Sequence, residues 1–354
     1  MPFLISVLVV DDSAFMRKAI STMLDKDPDI QVVGTARNGA DGLDKVRQLN
    51  PDVVTMDIEM PRMDGLTALK HIMMEMPRPV LMISSLTTEG AEATLKAMEA
   101  GAVDFIAKRL SLVSLDIVRI EDELRAKVKA VAKRRMRILP VRRKRPVREV
   151  KQIASIPSRE ERGRVVRDIV AIGVSTGGPP AVQKILSELP ADFPACILIA
   201  QHMPKTFTGP FAKRLNESSA LDVKEAEPGD VVKPGKVFVS PGGSHLKIRQ
   251  QVTHINVVVE SEPADALYKP SANELISSVA RAVGKRGLGV ILTGMGSDGC
   301  EGIKLLKERG GTSIAQSNET CVVYGMPKAI VDAGLADRIV DLEEMSAAIF
   351  QGLY

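Results

Sequence analysis

Along residues 4 to about 110, short apolar runs alternate with longer stretches whose apolar positions recur every three to four residues. The runs are LISVLVV, IQVVGTA, DVVTMD, PVLMISS and AVDFIAK, and the stretches between them include Phe15–Lys26, Gly39–Gln48 and Thr88–Ala100. Near-continuous apolar runs of this length fit strands buried on both faces, and the interleaved helical period fits helices that cover them. Strand and helix in alternation predict a parallel sheet. A charged segment from about Leu115 to Arg135 continues as a further helix.

The alternation stops over residues 136–166, which are rich in Arg, Lys, Pro, Ser and Glu and predict a linker. It resumes at Arg167 with DIVAIGV, PPAVQKILSEL, ACILIAQ and TFTGPFAKRL. A β-rich insert follows (KVFVSPGG, HLKIRQ, THINVVVE), then NELISSVARAV, GLGVILT, GIKLLKER, TSIAQ and PKAIVDA. The expected fold class is α/β, with two doubly wound parallel-sheet domains. Residues 1–125 form the first, 126–166 a helix extension and basic linker, and 167–354 a Rossmann-like second domain that carries a β-hairpin insert.

Composition narrows the function classes. Aromatics make up 3% of the chain and Trp is absent, so base stacking on nucleic acid is not expected as the main activity. Cys196, Cys300 and Cys321 are too few and too scattered for a disulfide framework or a zinc site, which fits a reducing cytoplasm. The apolar opening through Val10 lacks a basic start and runs into Asp11 and Asp12, so it reads as a buried strand and not as a membrane insertion. The formal net charge of +4 is local: residues 133–148 hold nine basic and no acidic side chains, and removing those nine leaves −5.

In the first domain, Asp11 and Asp12 follow the first strand, Asp57 the third, Ser84 the fourth and Lys108 the fifth. Sites in parallel α/β sheets gather beyond the carboxyl ends of the strands. Three converging carboxylates repel one another unless a cation sits among them, and hard oxygen ligands favour Mg²⁺. A lysine and a hydroxyl opposite that cation suit the oxygens of a phosphoryl group. The plain alternative is that each acid caps the next helix. This half resembles the receiver domain of two-component response regulators, a flavodoxin-like fold, through Asp11-Asp12, Asp57 in VVTMDIEMPRMDGL, Ser84 in LMISS and Lys108 in DFIAK. The resemblance implies that Asp57 becomes an aspartyl phosphate, that Asp11, Asp12 and Asp57 hold Mg²⁺, and that Ser84 and Phe105 act as switch residues. Receivers usually follow this lysine with proline; here Arg109 follows.

In the second domain, Gly173-Val-Ser175-Thr-Gly177 fits G-x-S-x-G between a strand and a helix. The N–H groups of Thr176, Gly177 and Gly178 lie at a helix start, where they can receive negative charge. A serine nucleophile needs a base. Of four histidines, His71 belongs to the first domain, His254 alternates within a β run and His245 follows a loop. His202 ends ACILIAQ, on the same strand-end edge as Ser175. Asp298 follows GLGVILT and supplies an orienting acid from a third strand end. The order Ser, His, Asp differs from that of α/β-hydrolases, but such triads are recognised by geometry. The bland readings are a turn serine, a buried histidine and a helix-capping aspartate. Gly294-Met-Gly-Ser-Asp-Gly299 also spells G-x-G-x-x-G, with Glu319 twenty residues on. A dinucleotide fingerprint, however, belongs to the first βα turn.

IGVSTGGP, AQHMP, VSPGGSHL, LTGMGSDG and the serine-led helix near PSANELISS resemble the catalytic domain of the chemotaxis methylesterase family CheB. The resemblance implies Ser175 as nucleophile, His202 as base and Asp298 as its orienter, with the Met295 N–H as oxyanion donor and Thr176 beside the site. It implies no cofactor in this domain. It also implies hydrolysis of glutamate methyl esters on methyl-accepting chemotaxis receptors, deamidation of some receptor glutamines, and phosphorylation of Asp57 by a CheA-type histidine kinase. Three alternatives stay open: a paralogue serving another pathway, a receiver with a nucleic-acid-binding output, and a scaffold that sequesters the kinase.

Overall fold

The computed structural model describes residues 4–108, 114–132 and 164–354, and the chain divides into two compact units on either side of residues 144 and 145. Arg109 and the basic run 133–148 lie outside the described residues.

The N-terminal unit is built on β1 (Ile5–Val10), β2 (Ile30–Ala36), β3 (Val53–Asp57), β4 (Val80–Ser85) and β5 (Asp104–Lys108). These strands pair in parallel in the order β2-β1-β3-β4-β5. Every residue of β3 is buried, as expected of a central strand covered on both faces. The covering helices are α1 (Ala14–Asp25), α2 (Gly39–Leu49), α3 (Gly65–Glu75), α4 (Thr88–Glu99) and α5 (Ser114–Ala132). Side-chain oxygens of Ser13, Asn38, Asp64 and Thr87 cap the first four of these, each accepting from a backbone N–H two or three positions into the helix.

The C-terminal unit has a seven-stranded sheet built from β6 (Ile169–Val174), β7 (Cys196–Gln201), β8 (Asp222–Glu225), β9 (Lys236–Val239), β12 (Gly287–Ile291), β13 (Thr312–Gln316) and β14 (Arg338–Val340). Their order is β14-β13-β12-β6-β7-β9-β8. All its described pairings are parallel. The helices are α6 (Gly178–Glu188), α7 (Lys205–Ser218), α8 (Ala272–Val283), α9 (Cys300–Glu308), α10 (Met326–Asp332) and α11 (Met345–Gln351). Leu275, Ile276 and Val279 of α8 are buried in one cluster with Leu198 of β7 and Ile291 of β12. Full burial of each such side chain stabilises by roughly 1.5–3 kcal/mol.

Two expectations about the insert need correction. KVFV is not part of a separate embellishment: as β9 it pairs in parallel with β7 and carries the main sheet outward to β8. Only β10 (His245–Gln250) and β11 (Ile255–Glu260) form the antiparallel hairpin. His254 is not within a strand; it lies in the turn before β11, with Thr253 beside its ring.

Candidate active site

The sheet order places β6 between β12 and β7, and the three segments that leave their carboxyl ends carry Asp298, Ser175 and His202 in turn. Register continues the strands into the site. Val174 faces Gln201, and one step on the His202 N–H donates to Val174 O at 3.0 Å while the Ser175 N–H donates to Thr293 O at 3.0 Å. Ser175 and His202 are thus hung from neighbouring strand ends by backbone hydrogen bonds.

The chain turns sharply after Ser175. Gly177 has φ +77°, and a Cβ there would fall 2.5 Å from Val322 Cβ, so the turn needs glycine. Helix α6 starts at once, with prolines in its first turn, where no N–H is required. The Gly178 N–H donates to Ser175 O at 2.8 Å, so it is engaged within the turn and does not face a ligand as the sequence suggested. Gln201 Nε2 donates to the same carbonyl at 3.0 Å and to His202 O at 3.2 Å, tying the two segments together. The Ser175 hydroxyl makes no hydrogen bond among the described residues, to His202 or to any other group.

His202 presents Nε2 to Asp298 Oδ2 at 2.8 Å. An ionised carboxylate only accepts, so Nε2 carries a proton, and in the neutral ring that leaves the lone pair on Nδ1. Nδ1 is buried and has no hydrogen-bond partner. The nitrogen able to serve as base is therefore Nδ1, the reverse of the arrangement in which an aspartate takes Nδ1–H and a serine faces Nε2. The sequence carries no signal for that choice.

Asp298 sits at the amino end of α8. Its Oδ1 accepts from Ser271 Oγ at 2.9 Å, Asn273 N at 3.0 Å and Gly299 N at 3.1 Å, and its Oδ2 accepts from Ala272 N at 2.6 Å. Burial alone would push its pKa up, but the His202 imidazole and the Asn273 and Ala272 N–H groups outweigh burial and hold the carboxyl below its ordinary 3.8. Ser271 also caps α8 by accepting from Glu274 N at 3.3 Å, and Glu274 three residues on completes the Ser-x-x-Glu signature. Asp298 thus both holds the His202 ring by Nε2 and stands as an anion at the helix terminus.

Thr176 is buried, and its carbonyl accepts from Thr293 Oγ1 at 2.8 Å. Gly294 N donates to Val323 O at 3.0 Å, whereas the neighbouring Met295 N–H meets no acceptor among the described residues. A Cβ on Gly294 would lie 2.8 Å from Ser175 Cβ, so this glycine lets the Met295 loop pass close to the serine. Of the other histidines, His245 is fully buried behind the site, its Nδ1 accepting from Ser271 N at 3.3 Å, and burial pulls its pKa down. His71 pairs with Glu75 on the exposed side of α3. Sequence reading noted Ser271 only as the serine that leads its helix, and missed Gln201 and Tyr268, whose ring lies flat on that of His202.

The N-terminal unit gathers a second cluster. One carboxylate oxygen from each of Asp11, Asp12 and Asp57 lies within 4.8 Å of the others. Lys108 Nζ stands 3.1 Å from Asp11 Oδ2 and 2.8 Å from Asp57 Oδ2. Burial pushes the Asp57 carboxyl up to about 6, with Lys108 opposing and Asp11 adding to the rise. Three hard oxygen donors, one of them strained by burial and a like charge, fit a divalent cation such as Mg²⁺. Ser84 does not join them: its hydroxyl donates to Gly90 O at 3.1 Å and accepts from Thr94 Oγ1 at 2.7 Å, on the α4 side. Phe105 is buried, and Lys127 of α5 donates to its carbonyl at 2.7 Å.

Comparison with known proteins identifies the family of each unit. Residues 170–349 match the CheB methylesterase family and residues 7–117 the response regulator receiver domain. The chain is 68% identical, over 99% of its length and 100% of the relative's, to the protein-glutamate methylesterase/protein-glutamine glutaminase 2 of Nitratidesulfovibrio vulgaris. It is 57% identical, over 98% of its length and 99% of the relative's, to the protein-glutamate methylesterase/protein-glutamine glutaminase of Lawsonia intracellularis. Among solved structures, the Thermotoga maritima CheB methylesterase catalytic domain is 40% identical and aligns with a TM-score of 0.51, covering 53% of this chain and 99% of that one. The chain belongs to the CheB methylesterase family, with a response regulator receiver domain preceding the methylesterase domain.

Proposed function

We propose that the chain hydrolyses glutamate methyl esters on chemotaxis receptors through Ser175, His202 and Asp298, deamidates some receptor glutamines at the same site, and is activated by phosphorylation at Asp57. The observation that carries the catalytic part is the pairing of an acid-held Nε2 with a buried, unpartnered Nδ1 on the strand next to Ser175. Ser175 Oγ attacks the ester carbonyl while His202 Nδ1 takes its proton. The tetrahedral oxyanion is received by the Met295 N–H. Nδ1 then returns the proton to the departing methoxide, methanol leaves, and a water activated by Nδ1 cleaves the acyl-serine to give free glutamate. A glutamine amide passes through the same intermediate and releases ammonia. General-base help contributes ~10²–10⁴-fold, and one oxyanion donor ~3–4 kcal/mol.

Asp11, Asp12 and Asp57 would hold Mg²⁺, which neutralises charge on a phosphoryl group during transfer. Lys108 supplies the second cation beside the Asp57 carboxylate. The partner implied is a CheA-type histidine kinase, and cytoplasmic work fits a chain whose described helices include none long and apolar enough to cross a membrane. The direct test is Ser175→Ala in a methanol-release assay on methylated receptor fragments. Loss of turnover supports the reading, and near-normal turnover overturns it.

A further inference from the structure

We infer that Tyr268 is a positioning residue for the reaction, locking the plane of the His202 ring and the loop that carries Met295 and Asp298 in one contact. The inference rests on the reading of His202 as the base.

The Tyr268 and His202 rings are stacked, with centroids 4.2 Å apart and planes 8° from parallel. Asp298 fixes the imidazole at one edge only, which leaves rotation about the line through that hydrogen bond. A flat aromatic surface removes this freedom, because tilting the ring opens a gap or drives it into the phenol. Nδ1 then stays in one plane relative to the segment that carries Ser175. The face of an aromatic ring is also electron-rich and favours a neighbouring cation, so the contact strengthens as His202 gains a proton and becomes imidazolium. Stabilisation that grows along the reaction raises kcat more than it lowers KM.

The far end of the same side chain reaches the other half of the machinery. Gly296 has φ +78°, and a Cβ there would lie 3.1 Å from the Tyr268 hydroxyl oxygen. The backbone next to Met295 and two residues before Asp298 therefore packs directly against the phenol. Tyr268 itself precedes Lys269, Pro270 and Ser271, and Ser271 both caps α8 and donates to Asp298. One side chain thus touches both the His202 ring and the loop that carries Met295 and Asp298.

The test uses the full chain, wild type and the variants Tyr268→Phe, Tyr268→Leu and His202→Gln, assayed for methanol release. Tyr268→Leu is expected to lower kcat by ~10-fold, the scale of a partly desolvated ring–cation contact, with KM little changed. Tyr268→Phe, which keeps the ring, is expected to restore most of the loss. Proton NMR of the His202 ring gives a readout independent of turnover: stacking holds its carbon-bound protons upfield, and they should move downfield in Tyr268→Leu but not in Tyr268→Phe. Wild-type kcat and unmoved ring resonances in Tyr268→Leu would overturn the inference. Equal loss in the Phe and Leu variants would overturn the ring's part in it. An active His202→Gln would instead overturn the assignment of the base, whatever the Tyr268 variants do.

Discussion

Asp298 grips His202 by Nε2, at 2.8 Å, and leaves free the ring nitrogen nearer the main chain. The same carboxylate takes four further hydrogen bonds, three of them from backbone N–H groups and one from Ser271. Replacing it with an amide puts an NH₂ group where only acceptors fit. Asp298→Asn is therefore expected to lower kcat by about 10⁴-fold, the scale of losing the correct tautomer in a serine triad. Steady-state methanol release checks this, and an effect on KM alone would count against the orienting role.

Acidity should be felt through the same group. The Asp298 carboxyl ionises below 3.8 in the folded chain. An acid whose folded pKa is depressed contributes stability that is fully present above the unfolded pKa and is lost as pH falls through the folded one. Thermal melts of the segment 167–354 should lose stability as pH falls from about 4. Asp298→Asn should flatten that part of the curve, and an unchanged slope would contradict the assignment.

Ser271 tests the helix end apart from the chemistry. Ser271→Ala removes the cap on Glu274 N and one bond to Asp298. A lost N-cap costs about 1 kcal/mol, to be read as a lower melting temperature. Activity should fall far less than in Asp298→Asn, because three backbone donors still hold the acid.

At the N-terminal cluster, proton and cation compete. Asp57 is pushed up to about 6 by burial, against the pull of Lys108 and with the repulsion of Asp11. Its folded pKa exceeds the unfolded value, so without a cation this group favours the folded state at low pH and weakens it as pH rises from about 4 to 6. Added Mg²⁺ should raise the receiver's melting temperature clearly above pH 7 and little at pH 5. Asp57→Asn should remove the pH dependence. A Mg²⁺ effect that is the same at both pH values would argue against Asp57 as a ligand.

If phosphorylation at Asp57 activates by relieving inhibition from the unphosphorylated receiver, the segment 167–354 is expected to be more active than the unphosphorylated whole chain. That segment has its own sheet and buried cluster. A shift of only ~1.4 kcal/mol in a two-state equilibrium changes activity about tenfold. Equal methanol release by the two, with and without a small phosphodonor, would dispose of the inhibitory receiver.

Much of this was legible in the sequence because buried parallel strands leave a strong trace. IVAIGV is apolar along its whole length and VVTMD is so apart from Thr55 and Asp57, and both proved central and buried throughout. Ser175 and His202 could be placed on one edge because each directly ends such a run, and Asp298 because it lies in the short loop that follows GLGVILT. What stayed hidden depends on pairing and rotamers. Nothing in KVFV tells that it joins β7 instead of the hairpin, since a four-residue strand has no room to show which sheet it belongs to. The ring nitrogen chosen by Asp298 and the turn of Ser84 toward Thr94 are set by side-chain torsions that residue type does not encode. Tyr268 was missed because an aromatic in a polar loop, among Glu, Asp and Lys, shows no periodicity at all.

Because Nδ1 is bonded directly to Cγ, it sits on a short lever from the polypeptide. Rotation about the Cα–Cβ bond sweeps Nε2 through a wide arc and moves Nδ1 less. The separation of proton acceptor and nucleophile is thereby governed by the inter-strand bond from His202 N to Val174 O, at 3.0 Å, more than by side-chain reach. Catalytic alignment here is inherited from the pitch of the sheet itself, so substitutions that merely loosen the packing beneath β6 and β7 should blunt turnover before they unfold anything.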